Sequence, residues 1–216
     1  MPASLPVGYR HSSLSVDFLR GQYSAFVHLR WSLEDLRDFA RSSEELLERR
    51  RQETRGTDRF TLSPFIVRGS ILVMACGVVE NFLTTFCDLL HRSQGLALSP
   101  ETLRGTGIVP ARTYIKKVAG LPFPDLLWPA LLSLFYVRHA IVHAHGRMTG
   151  TKKIRSVRQY FSSVTVGPSG EIWPEATAAE AALKLLMDFT DQMEKEIVGP
   201  SSEQAITKRF VGESED

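Results

Sequence analysis

Cysteines, long apolar runs and a signal-peptide core are scarce or missing in this sequence. Only 2 of its 216 residues are cysteine, and Cys76 and Cys87 stand on one predicted helix, too far apart along its axis to form a disulfide. We expect both to be small buried side chains. No run of about 18 uncharged apolar residues occurs, so we expect no membrane span. Because the first residues also lack an apolar core, we expect a cytoplasmic protein.

Metal-ligand patterns are missing as well. The histidines near residue 143 have no cysteine or carboxylate neighbours in the sequence, so no zinc ligand set is visible. We therefore expect no metal and no other cofactor.

Acidic residues are absent from residues 127–170, where every charged side chain is lysine or arginine. The remainder of the chain is net acidic, although the whole chain carries a formal charge of +2. A cationic zone of this kind favours phosphate binding. A solvated basic loop is the plain alternative, and composition does not separate the two.

Apolar periodicity predicts a mainly all-α chain. Helical patterns cover residues 14–55, 63–91, 125–145 and 177–198, with short helical turns near 99–101 and 110–118. Ser32 with Asp35 can restart a helix, so the first pattern predicts two helices or one bent helix. A basic loop is predicted at 147–158 and a β-hairpin at 159–173, where the apolar period changes. We expect one helical domain over 12–198, decorated by 147–175, with disordered segments at 1–11 and 199–216.

The strongest candidate for function is the sequence RHAIVH at residues 138–143. It ends a segment, 126–142, that is apolar on nearly every side. Charged or titratable side chains in such a helix are desolvated, so they need a partner or a purpose. On an ideal helix Arg138 and His143 lie about 140° apart. Either the arginine bends round the helix, or a second copy of the helix, related by two-fold symmetry, supplies the other half.

Glu80 is the natural counter-charge for Arg138, because it is the only charge in its helix between Arg68 and Asp88. The plain alternative to a functional site is a structural ion pair between Glu80 and Arg138, with His143 a core histidine. That alternative predicts that Arg138 and His143 are packed away from solvent. A functional site predicts a cleft that solvent reaches.

The motif and its context resemble the HEPN superfamily of small helical proteins. The family signature is an arginine, a polar residue, three or more variable residues and a histidine at the end of a long helix. Arg138, His139 and His143 fill these places, in the phrase RHAIVHAHG. The sequence VMACGVVENFLTTF, with its single acidic residue, resembles the partner helix of the family. The resemblance covers about residues 63–145 and implies an antiparallel helical bundle that forms a homodimer.

The resemblance also implies an activity, that of a metal-independent endoribonuclease of stress response or phage defence. His143 would be the general acid/base, Arg138 would clamp the phosphate, and His139 would orient the site. Glu80 would hold Arg138 in place. The cleft would lie between two subunits, and the products would be a 2′,3′-cyclic phosphate and a 5′-hydroxyl. The RNA backbone would be guided by the cationic side chains after the motif, namely His145, Arg147, Lys152, Lys153, Arg155 and Arg158.

Two further implications concern partners. A toxin-like HEPN protein would have an antitoxin or another defence-system protein as partner. Many HEPN domains have lost activity, so the alternative is a catalytically inactive dimer that binds RNA, a nucleotide or a protein.

Overall fold

Helices make up most of the structure, a computed structural model that describes residues 16–53 and 63–198. In these ranges the α-helices are α1 (Val16–Glu53), α2 (Ser63–Gln94), α3 (Val109–Thr113), α4 (Trp128–His143), α5 (Thr151–Tyr160) and α6 (Ala178–Val198). A 3-10 turn (Pro100–Thr102) and a π-helical turn (Tyr114–Val118) precede α4. Strands β1 (Val164–Val166) and β2 (Ile172–Pro174) pair as an antiparallel hairpin before α6. The predicted all-α class and hairpin are confirmed, whereas segments 1–11 and 199–216 lie outside the described residues.

The first helix, α1, runs unbroken for 38 residues. The hydroxyl of Ser32 donates a hydrogen bond to the carbonyl of His28, one turn earlier, at 2.9 Å. A serine that bonds back into its own helix does not cap a new one. The helix therefore continues through Ser32, where the sequence also allowed a restart.

The central helix of the bundle is α2, which contacts α1, α4, α6 and β2. Near the start of α1, Gly21 faces Leu89 near the end of α2. Near the end of α1, Glu44 forms an ion pair with Arg68 near the start of α2, at 2.6 Å. The two helices are therefore antiparallel.

The core lies where α2 meets α1, α4 and α6. Its largest fully buried side chains include Phe26, Phe86 and Phe189, one from each of α1, α2 and α6. Burying a side chain of this size contributes about 1.5–3 kcal/mol, so this cluster provides much of the driving force for folding. Cys76 and Cys87 are buried free thiols in the same core, as predicted.

On length and hydropathy alone, residues Pro64–Gln94 of α2 also qualify as a membrane-spanning helix. Half of the most apolar window of this helix is buried inside the fold. The core helix of a soluble bundle passes the same test. The expectation that the chain has no membrane span stays a prediction.

The segment after α4 differs from its prediction. The sequence predicts a basic loop at residues 147–158, but most of that segment belongs to α5. Val157 of α5 is buried and Ile154 packs against the core, while the hydroxyls of Ser156 and Ser133 of α4 lie 2.7 Å apart. Two apolar residues three positions apart give a short helix one buried face. The helical pattern is hard to recognise in the sequence because lysine and arginine surround these two apolar residues.

The hairpin turn depends on a glycine that no other residue replaces without strain. Gly170 has a φ of +88°, and a Cβ there would lie 2.2 Å from the carbonyl oxygen of Met148. We predict that Gly170→Ala lowers the free energy of unfolding by more than about 2 kcal/mol, because backbone strain and a steric clash add. Urea unfolding measures this loss.

Gly95→Ala is the matched control for that substitution. Gly95 also has a positive φ, +59°, but nothing lies within 4 Å of a Cβ at this position. Gly95→Ala should lower the free energy of unfolding by about 1 kcal/mol, the strain of the left-handed conformation alone. Equal losses in the two variants would show that the contact with Met148 is unimportant.

Candidate functional site

The last turns of α4 bring the charged residues of the motif to the edge of the core. Nη2 of Arg138 lies 3.3 Å from Oε2 of Glu80, so the predicted ion pair between α4 and α2 is confirmed. The two side chains remain 27% and 31% exposed. Their charges therefore lie at the boundary between the apolar interior and solvent, where an external anion can approach Arg138.

Glu80 engages only part of the guanidinium. The Nε atom of Arg138 is buried and has no hydrogen-bond partner among the described residues, and the ion pair with Glu80 is formed at Nη2. A guanidinium offers five N–H donors in a fixed fork. The carboxylate thus anchors Arg138, while the part of its side chain that remains exposed is open to a ligand.

His143 packs against His139, one helical turn earlier. Their ring centroids are 4.9 Å apart, and the ring planes are inclined by 49°. Both side chains are exposed. The plain alternative, in which His143 is a core histidine packed away from solvent, is therefore wrong for this residue.

A lysine from α5 and a tyrosine from α4 complete the surroundings of the histidine pair. Nζ of Lys153 lies 5.5 Å from the ring centroid of Tyr136, and the charge of Lys153 acts on His139. Tyr136 is not among the site residues predicted from the sequence. The spacing could have indicated it, because a residue three positions before His139 lies on the same side of a helix.

The cationic residues proposed to contact RNA divide into two groups. Arg158 donates a hydrogen bond to the carbonyl of Val166, at 2.9 Å, and Arg147 forms an ion pair with Glu171, at 3.8 Å. These two contacts tie the segment after α4 to the hairpin. All six side chains are exposed, and the four without these contacts lie on α5 or just after α4, namely His145, Lys152, Lys153 and Arg155.

The α2–α4 groove, a shallow apolar depression, adjoins the motif. It has a volume of about 420 Å³ and is lined by Phe65, Ile66, Gly69, Ser70, Val73, Met74 and Ile141. Ile66 is 60% exposed, Met74 41% and the neighbouring Val142 45%. Large apolar side chains that lie together on the surface are typical of an interaction surface.

The histidine pair has a spacing that also occurs in metal sites. Two histidines one turn apart can share a metal ion, but no group of three or more histidine, cysteine or acidic side chains gathers within the described residues. The nearby charges of Arg138 and Lys153 would repel a metal cation. The pair is better suited to transferring protons or binding an anion.

The electrostatics of His139 lead to a testable pH dependence. Partial burial lowers the pKa of His139 from its ordinary value of 6.5, and the charges of His143, Lys153 and Arg138 lower it further. Lys153→Gln removes one of these charges, so we expect the pKa of His139 to rise. An NMR titration of the ring measures the change, with the His139 signal assigned from its loss in His139→Asn.

Lys152→Gln is the control, because Lys152 is adjacent in sequence but is not among the charges that lower this pKa. An unchanged pKa in Lys153→Gln would contradict the assigned cause.

The lowered pKa of His139 also makes stability depend on pH, because the unfolded chain binds the proton more readily than the folded chain. Stability is therefore lost as the pH falls from about 6.5 through the folded-state pKa of His139.

Comparisons with known proteins assign no family to the chain. No family model, curated protein or solved structure matches it. Any assignment of function therefore depends on the chemistry of these side chains and on the resemblance of residues 138–143 to the HEPN signature.

Proposed function

We propose that this chain is a metal-independent endoribonuclease of the HEPN type that acts as a homodimer. The observation that carries the proposal is an exposed His143 at the end of a buried helix, with Arg138, five residues earlier on the same helix, anchored by Glu80. In the proposed reaction the ribose 2′-hydroxyl attacks the adjacent phosphate. The products are a 2′,3′-cyclic phosphate and a 5′-hydroxyl.

Each residue of the motif has a role that suits its chemistry. His143 transfers a proton, since histidine is the side chain that titrates near neutral pH and this one is open to solvent. Arg138 binds the phosphate and stabilises the negative charge that develops in the transition state. Glu80 holds Arg138 in position. His139 packs against His143 and orients it.

The surface of α5 supports an RNA substrate. Lys152, Lys153 and Arg155 are exposed within ten residues of helix, and residues 127–170 contain no acid to oppose them. Lysine and arginine on one surface neutralise successive phosphates and release counterions. Binding along α5 should therefore weaken steeply with added salt.

The bundle and its exposed groove support the dimer. Gly69 of α2 contacts Ile141 of α4, and Glu80 lies further along α2 against the earlier Arg138, so these two helices run antiparallel as the family bundle requires. The α2–α4 groove is lined by Ile141 of the motif helix and leaves Ile66 and Met74 open to solvent. A second copy that covers this groove would bury them and bring a second motif close to the first.

The biological setting follows from the resemblance alone. We place the activity in the cytoplasm, in stress response or phage defence, with an antitoxin or another defence-system protein as partner.

The nuclease is tested by cleavage of total RNA and of tRNA in EDTA, with analysis of the product termini. Wild-type protein should cut, leave cyclic phosphate ends and be unaffected by the chelator. His143→Ala should cut at least about 100-fold more slowly, the usual contribution of a general acid or base. His28→Ala is the matched control, because His28 is an exposed histidine on α1 and its loss should change nothing.

Three results would count against the nuclease. They are equal cleavage by His143→Ala, loss of activity in EDTA, and no cleavage by a folded wild-type protein. The last result, combined with RNA binding by the wild type, would favour the catalytically inactive HEPN dimer.

The dimer is tested by sedimentation of a groove variant. Met74→Glu places a charge in the α2–α4 groove, and we expect it to shift the chain from dimer to monomer and to reduce cleavage in parallel. Leu126→Glu is the control, since Leu126 is 97% exposed on a different groove, formed by residues 123–127 and α6. A dimer that tolerates Met74→Glu would rule out this groove as the interface.

A further inference from the structure

The two motif histidines lie side by side, although a mechanism with a single acid/base residue would need only one of them. Their rings lie 4.9 Å apart, both are exposed, and they project from successive turns of one rigid helix. Cleavage by a 2′-hydroxyl needs one proton removed from the attacking oxygen and another delivered to the leaving oxygen. Two neighbouring imidazoles, one neutral and one protonated, can meet both needs at one phosphate.

We infer that His139 is a second catalytic residue of this site, the general base for the 2′-hydroxyl, while His143 is the general acid for the leaving 5′-oxygen. The inference rests on the proposed ribonuclease activity and deepens it. The resemblance assigned His139 only the orienting place in the motif. The structure instead sets its ring beside that of His143, where both can reach one substrate.

The charges around the pair distinguish the two roles. The charges of His143 and Arg138 from α4 and of Lys153 from α5 act on His139, and the acid of the site, Glu80, is paired with Arg138. Adjacent imidazoles seldom hold two protons at once, because like charges repel at this distance. Desolvation lowers the pKa of His139, and the charges of His143, Lys153 and Arg138 lower it further, so His139 is suited to remain neutral.

The proton and bond changes balance within the pair. The O–H bond of the 2′-hydroxyl breaks and its proton passes to the imidazole of His139. The bond from O2′ to phosphorus forms while the bond from phosphorus to O5′ breaks, and the imidazolium of His143 gives its proton to O5′. Arg138 neutralises the charge on the non-bridging oxygens throughout. Both rings are exposed, so exchange with water restores their starting protonation.

A substrate that needs no general acid separates the two histidines. Uridine 3′-(4-nitrophenyl phosphate) cyclises with release of nitrophenolate, which leaves without a proton. We expect His143→Asn to be at least about 100-fold slower than wild type on an RNA oligonucleotide and close to wild type on the aryl ester. His139→Asn should be slow on both substrates, because each requires removal of the 2′-hydroxyl proton.

The pH profile of kcat/KM on the aryl ester provides a second readout. Wild-type activity should rise with pH through the pKa of His139, and Lys153→Gln should move this rise to higher pH. His139→Asn should lose the rise, whereas His28→Asn, on α1, should leave it unchanged. A merely structural role for His139 would lower the rate without altering the shape of the profile.

The outcomes separate this inference from the function on which it rests. Wild-type cleavage of RNA that His139→Asn retains, or rescue of His139→Asn by the aryl ester, overturns the assignment of His139 as base and leaves the nuclease intact. Failure of the wild-type dimer to cleave either substrate overturns both. Circular dichroism and sedimentation of each variant confirm that the exposed substitutions leave fold and assembly unchanged.

Discussion

The packing of α4 against α2 is the constraint on which the rest of the molecule depends. α4 buries side chains on nearly every side, from Trp128 to Ala140, so its position is set by the core and not by its own capping. Its exposed side chains, His139, Val142 and His143, all lie in its last five residues. Arg138, His139 and His143 are therefore carried by a rigid element, and they are held where the interior ends.

The ion pair between Glu80 and Arg138 is the electrostatic counterpart of this packing. α2 is otherwise uncharged between Arg68 and Asp88, and burial beside the pair is deep enough that the pKa of the Cys76 thiol is raised far above its ordinary value. A partly exposed ion pair contributes little to stability. Its consequence here is positional, because it anchors the guanidinium at the edge of the core, where the side chain remains 27% exposed.

The short helix α5 converts a sequence of positive charges into an oriented surface. Ile154, Ser156 and Val157 hold one side of it against the core and α4, so Lys152, Lys153 and Arg155 project outward. Arg158 and Arg147 differ from these three, because they contact the hairpin. All of these cations are exposed, and the fold decides which of them also contact the hairpin and which do not. Lys153 stands at the junction, since it belongs to α5 and acts on a histidine of α4.

The sequence by itself determined the helical class, the hairpin, the main helices and the pairing of Glu80 with Arg138. These depend on local periodicity and on the rarity of a lone charge in an apolar helix. The tertiary structure decided that residues 151–160 are helical, that His143 is exposed, and that His139, His143, Tyr136 and Lys153 meet. Periodicity gives the face of a helix on which a residue lies, but not which neighbour covers that face. Burial and the pKa of His139 are set by those neighbours, and these come from segments distant in the chain.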